Sequence, residues 1–303
     1  MPSHMVAAVL TTVFFSLSAV FAHRSIRLVG ATRANLGRLL VAVVCLGLYA
    51  HTVGGGLGGA GLTWFLLSGL VGMGLGDLAA FAAFPLIGSR LTVLLTQCLA
   101  VPIAILAERV WLGTALTGPQ LTWGAVILAG VAVALLPSRS NPPRVPLKAM
   151  GFFWGVMAAA GQGLGAVLSR KANELTALAG QPIDGITAAY QRIVGGLVIT
   201  VAFFAVRALL ARKPAEATPA LTPTLRDHLW IPANALCGAV IGVSFYQWSL
   251  ATTPSGLVLP IVACTPLVIV PLSYWLEGER PTRRSLLGGV IAVAGVVALT
   301  LVR

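Results

Sequence analysis

Asp77 is where chemistry in this chain has to start. Of the eight acidic residues it alone lies deep inside an apolar run; the others fall at run ends or in connections. An ionised carboxylate at the centre of a membrane-spanning helix costs roughly 2.5–3.5 kcal/mol on insertion scales, so it must face a cavity or a partner. Two readings stand: a coupling site that binds a proton or cation, or an arginine-paired Asp that locks helix packing. Amides and aromatics recur at similar depth. Thr96 and Gln97 share one run, Trp154 and Gln162 another, and Tyr246, Gln247 and Trp248 a third. Amides that orient a solute, beside aromatic faces that supply contact area, make a substrate cavity. The structural alternative is hydrogen bonding across helices. Arg38 and Arg192 each enter a run within its first turns. There they snorkel to headgroups, or serve as a gate ion pair or as the contact for a substrate carboxylate. Pro260, Pro266 and Pro271 each remove a backbone donor from one run, which makes either a hinge or a plain kink.

Other chemistries lack their residues. His4, His23, His51 and His228 lie near run ends with no HExxH or similar ligand spacing, so neither a metal nor a cofactor is expected. No GxSxG elbow and no GxxxxGK[ST] loop occurs, which argues against a hydrolase or an ATP-driven pump; the chain does not read as an enzyme. The cysteines Cys45, Cys98, Cys237 and Cys264 sit inside apolar runs without a CxxC pair, as small buried residues do.

The elements that must hold these residues are membrane spans. The chain is 57% hydrophobic and 9% charged, against roughly 25% charged in a soluble domain, and cannot cover itself with a solvated surface. The lipid bilayer is its solvent. At about 20 apolar residues per span, 303 residues with short connections hold ten. The net charge of +12 is mostly arginine gathered at run ends. In that position it is topology signal and headgroup contact, and no nucleic-acid partner is expected. The runs in the first half are Val6–Ala22, Ala34–Ala50, Leu62–Phe84, a fourth from the Pro85–Ser89 break to Ala107, and Leu121–Leu136. In the second half they are Ala149–Ser169, Ile186–Leu209, Leu229–Ala251, Ser255–Leu276 and Leu286–Leu301. No basic residue precedes the first run, which is therefore read as a retained helix rather than a secretory signal.

The runs repeat in order. Thr96, Pro102 and Glu108 recur at one constant spacing as Thr265, Pro271 and Glu277, and Gly130 and Val131 recur as Gly295 and Val296. SLSAVF at 16–21 answers GLGAVL at 163–168, Arg38 answers Arg192, and Gly72 and Gly76 answer Gly238 and Gly242. The matches define a first five-helix repeat over 1–137, a proline-rich basic linker over 138–148 and a second repeat over 149–303. Five is odd, so the two copies insert with opposite orientation. Inverted repeats are a common plan of secondary transporters, with the substrate site between them near mid-membrane. The expected fold is all-α and integral to the membrane, ten transmembrane helices as two inverted five-helix repeats. Duplication removes the need to dimerise, and a monomer is expected.

These features together resemble the EamA-like transporters of the drug/metabolite transporter superfamily over nearly the whole chain. The resemblance rests on the duplicated unit, Arg38 and Arg192, the GxGD of Gly74–Asp77, and the prolines of the fourth and ninth runs. Glu108-Arg109, Glu279-Arg280, Gly130 and Gly295 complete it. It implies a ten-helix carrier of small metabolites or drugs, many members being exporters of amino acids and related compounds. The small multidrug pumps of that superfamily carry a membrane-embedded Glu in their first helix. Here the corresponding helices offer Thr11, Thr12, Ser16 and Ser18, and Gln162 in the second copy, so that route to proton coupling has no carboxylate. The expected function is secondary transport by alternating access, as an exporter of amino acids or related solutes in a bacterial inner membrane. A carrier of toxic cations and a passive facilitator are the alternatives.

Charge and resemblance point to opposite orientations. Fourteen basic residues fall in the connections after the odd-numbered runs and four on the other side, Arg38 and Arg192 inside spans making up the twenty. The positive-inside rule then places both termini outside the cytoplasm, whereas the resemblance implies cytoplasmic termini for several relatives.

Overall fold

The computed structural model describes residues 3–136, 145, 147–210, 229–277 and 282–302, and these form helices and their connections. The expected linker over 138–148 lies outside the described residues except at 145, 147 and 148, and the Glu279-Arg280 pair lies wholly outside them. The first half holds α1 (Ser3–Val29), α2 (Ala31–Thr52), α3 (Leu62–Gly69), α4 (Asp77–Leu112) and α5 (Gly118–Leu135). The second holds α6 (Ala149–Leu178), α7 (Gly185–Leu210), α8 (Trp230–Asn234), α9 (Val243–Thr252), α10 (Ser255–Val262), α11 (Thr265–Glu277) and α12 (Arg283–Leu301). Among the described residues nine segments are long and apolar enough to cross a membrane. Leucines and valines such as Val44, Leu48, Val290 and Val293 project outward from them, as a lipid-facing surface requires.

One of the nine segments, Leu62–Leu112, is 51 residues long. At 1.5 Å per residue that is about 77 Å, more than twice a hydrocarbon core of about 30 Å. The break expected over Pro85–Ser89 narrows to a single residue. Gly88 takes φ 79° and ψ 161°, a region reached almost only without a Cβ, while Pro85 stays helical.

The glycine pairs matched between the halves mark the same local structure twice. A stretch of π-helix, Leu70–Gly76, joins α3 to α4, and another, Ala235–Gly242, joins α8 to α9. Close packing accompanies the first. A Cβ on Gly69 would strike the carbonyl of Arg192, and one on Gly195 the carbonyl of Leu66, so α3 and α7 meet backbone to backbone.

The ninth run is not one helix. It breaks at Ala263 and Cys264 between α10 and α11, because Pro266 has no N–H for the carbonyl of Val262. Thr265 supplies the missing donor, its Oγ1 lying 2.6 Å from that carbonyl. Helix α1 supports the break from the side: Thr12 Oγ1 donates to the carbonyl of Ile261 and Ser16 Oγ to that of Thr265, each at 3.0 Å. Hydroxyls of α1 thus cap a broken helix.

The halves interlock through matching pairs. Helix α4 lies along α6, α2 along α7 and α5 along α12, while α1 packs on α9, α10 and α11. The main apolar core gathers Val101 and Ala104 of α4, Ile127 and Val131 of α5, and Leu257, Val258 and Ile261 of α10.

Candidate functional site

A cavity of about 710 Å³ lies where the halves meet. Helix α4 lines it with Ser89, Arg90, Val93 and Gln97; α1, α2, α6, α7, α9, α11 and both π-helical stretches complete the wall. The wall extends to Ala22 and His23 near the end of α1 and to Leu135 at the end of α5. Eleven residues beyond Gln97, about 16 Å along α4, the bundle is packed around Glu108.

Three polar groupings furnish the wall. Arg38 Nη2 lies 3.3 Å from Asp77 Oδ2 and also donates to Asn35 Oδ1 at 2.7 Å. Gln162 Nε2 donates to Gln97 Oε1 at 3.1 Å, joining α6 to α4. The third is centred on Arg192, only 5% exposed. Its Nη1 donates to Ser68 Oγ at 2.6 Å, Ser169 Oγ at 2.9 Å and the carbonyl of Gly165 at 3.1 Å. The guanidinium carbon sits 5.4 Å from the Tyr246 ring centroid, within cation–π range. All the acceptors are neutral, and among the described residues no carboxylate pairs with Arg192.

The sequence-derived candidates therefore divide. Arg38, Asp77, Gln97, Gln162, Arg192, Tyr246 and Pro266 line the cavity. Arg192 lies seven residues into α7 and is buried among protein groups rather than exposed at the helix end. Thr96 presents a buried hydroxyl with no partner, one position round the helix from the wall. Trp154 packs edge-on to Phe153, against the apolar cluster of Ala83, Ile87, Leu91 and Leu94. Gln247 is wholly buried behind the wall and donates to Ser169 Oγ at 3.1 Å. Trp248 turns outward, 41% exposed, onto a separate apolar groove shared with Phe245, Tyr49 and Ile186. Pro260 is buried in α10 and Pro271 exposed on α11.

A second polar centre lies outside the cavity. Arg170 Nε donates to Glu108 Oε1 at 3.1 Å, and its Nη1 donates to the carbonyls of Leu250 and Ala251 at 2.9 and 3.3 Å. The other carboxylate oxygen of Glu108 accepts from the backbone N–H of Ser255 at 2.8 Å and from its hydroxyl. The apolar runs read from the sequence end at Ala107 and Ser169, which leaves Glu108 and Arg170 just outside them. Helices α4 and α6 run on past the apolar stretches, to Leu112 and Leu178, and carry both residues inside.

Comparison with known proteins comes in three parts. The EamA-like transporter family matches over residues 149–301. No curated protein matches the chain. A solved crystal structure of a protein, 17% identical, aligns over 99% of this chain and 96% of its own with a TM-score of 0.72; at that identity the likeness is one of fold.

Proposed function

The chain belongs to the EamA-like transporter family, and we propose that it is a secondary transporter exporting amino acids or related small solutes by alternating access across a bacterial inner membrane. Membership makes it a multi-pass protein of a family of small-solute transporters rather than enzymes. The observation that carries the finer reading is the cavity: helices of both halves wall it, and the bundle is packed solid where Glu108, Arg170 and Ser255 meet. A cavity that stops short of the polar cluster at Glu108 fits one of the two states such a cycle needs.

Ten crossings arranged as inverted repeats fit this reading. Leu62–Leu112 is too long for one span and bends at Gly88, which supports counting it as two. The pairing of α4 with α6 then has its counterpart in α1 against α10 and α11, and the two π-helical stretches correspond. In this scheme the break between α10 and α11, with Pro260, Pro266 and Pro271 around it, is the hinge, Asp77 is the coupling site, and the protein works as a monomer.

Counterflow in proteoliposomes tests the proposal, using labelled amino acids and cationic drugs with and without a pH gradient. Saturable counterflow with a raised KM in Gln162→Ala is the expected result. Gradient-driven accumulation that disappears in Asp77→Asn while counterflow persists would place coupling at that carboxylate. Flux without counterflow would favour a passive facilitator, and a preference for the drugs would favour cation efflux.

A further inference from the structure

We propose, building on the carrier reading above, that α10 is the arm of a gate. Glu108 latches its N-terminus, the break at Ala263 and Cys264 hinges its other end, and solute passes Gln247 when the latch parts. Both ends of the arm are marked in the structure. Helix α10 is short, and all eight of its residues are buried. At its start, one oxygen of Glu108 takes the backbone N–H and the hydroxyl of Ser255. At its end the helical ladder is already interrupted. There the hydroxyls of Thr12, Ser16 and Thr265 serve the carbonyls of Ile261, Thr265 and Val262, so bending costs no ladder bond that Pro266 had not already removed.

The latch uses charge as well as hydrogen bonds. Thr253 (φ −107°, ψ 133°) and Pro254 (ψ 141°) are extended, so α9 and α10 meet at a sharp turn. The ion pair straddles it: Arg170 holds the carbonyls of Leu250 and Ala251 in the last turn of α9, and Glu108 holds the first N–H of α10. Each charge thus faces the helix end of opposite partial charge. Only three side chains make the closure, and water can replace each of them when α10 swings away.

Gln247 marks the way the solute goes. It follows Tyr246 of the cavity wall and precedes the carbonyls that Arg170 holds. Its side chain is wholly buried, and its Nε2 donates to Ser169 Oγ at 3.1 Å, the hydroxyl that also takes Arg192 of the wall. Its Oε1 has no partner among the described residues. A buried acceptor left unpaired carries its full desolvation cost, and that cost ends when the path opens and water or a polar solute reaches it. Polar groups therefore continue from the cavity to the latch.

Two measurements on the full-length protein test this. The first uses Gln247→Cys with the four native cysteines replaced by alanine. Modification by a charged, membrane-impermeant thiol reagent is timed in sealed vesicles of either orientation. Glu108→Gln should raise the rate from the side of Ser255 about tenfold, as loss of a charge-assisted hydrogen bond does in a two-state equilibrium, and lower it from the opposite side. Ser255→Ala, which removes only the hydroxyl, should act in the same direction. An unchanged rate from the Ser255 side, or an equal rise from both sides as loosened packing gives, overturns the proposal. The second measurement locks the arm. A Cβ added at Gly256 lies 2.6 Å from Ile105 Cγ1, so Ile105→Cys with Gly256→Cys is within disulfide reach. The cross-linked protein should lose counterflow of labelled amino acids and regain it in dithiothreitol. Counterflow that survives cross-linking overturns the gate and leaves the carrier reading standing. Side-dependent modification as expected, without counterflow of any label in the protein before cross-linking, would uphold the gate and sink the exporter reading.

Discussion

Glu108 and Arg170 meet at 3.1 Å with the carboxylate 2% exposed, and each also holds a partner on the chain at 250–255. Arg170 takes the carbonyls of Leu250 and Ala251, and Glu108 takes Ser255. One ion pair thus ties α4 and α6 to the turn between α9 and α10. Removing one member strands the other, which in buried pairs costs about 3–5 kcal/mol. Arg170→Ala should lose about that much unfolding free energy, followed by tryptophan fluorescence in detergent. Glu108→Gln, which keeps a hydrogen-bonding group of the same shape, should lose less.

Glycine substitutions should separate contact from open space. Gly69→Ala drives a methyl into the carbonyl of Arg192, and overpacking of this kind costs about 1–3 kcal/mol or more. Gly289 has nothing within 4 Å of an added Cβ, and there alanine gains about 0.5–1 kcal/mol through helix propensity. Opposite shifts in thermal midpoint are expected from the two variants; equal shifts would contradict the close approach of α3 and α7.

Gly88→Ala is a test of the bend in the long segment. Space is ample, since the nearest atom to an added Cβ, on Val145, is 3.5 Å away. The cost is conformational: φ 79° with ψ 161° is a region that costs an L residue about 1–3 kcal/mol. Destabilisation in that range is expected, measured as above, and a neutral result would mean that the segment can straighten or re-bend without Gly88.

Gln162→Ala and Trp248→Ala should differ in function rather than in stability. Gln162 is on the cavity wall and Trp248 is turned away onto an apolar groove. Counterflow should show a raised KM in the first and an unchanged one in the second. A raised KM in both would argue that the outer groove is also on the solute's path.

Much of the architecture was legible because membrane spans announce themselves by length and apolarity. The ten runs coincide with helical structure, apart from Leu136, Leu229 and the break at Ala263 and Cys264. The ends were less legible, since hydropathy reports side chains and not backbone: α6 continues nine residues past Ser169 through Arg170 and Asn173, whose polarity is absorbed by hydrogen bonds to Glu108 and to the Ser169 carbonyl. For the same reason Glu108 read as a turn residue. Gln97 and Gln162, placed at similar depth by the sequence, bond to each other at 3.1 Å, but rotation about the helix was not legible. Trp248 and Tyr246 are two positions apart, and two positions are about 200° of turn, enough to send one into the cavity and the other onto the separate groove. The serine environment of Arg192 left no signal at all. Ser68 and Ser169 are about a hundred residues apart and share no motif.

The tie at Glu108 also bears on how the chain is made. Its partners Arg170 and Ser255 follow it by 62 and 147 residues, and synthesis delivers the N-terminal part first, so the first half is made with this carboxylate still unpaired. The cation that completes the first half belongs to the second.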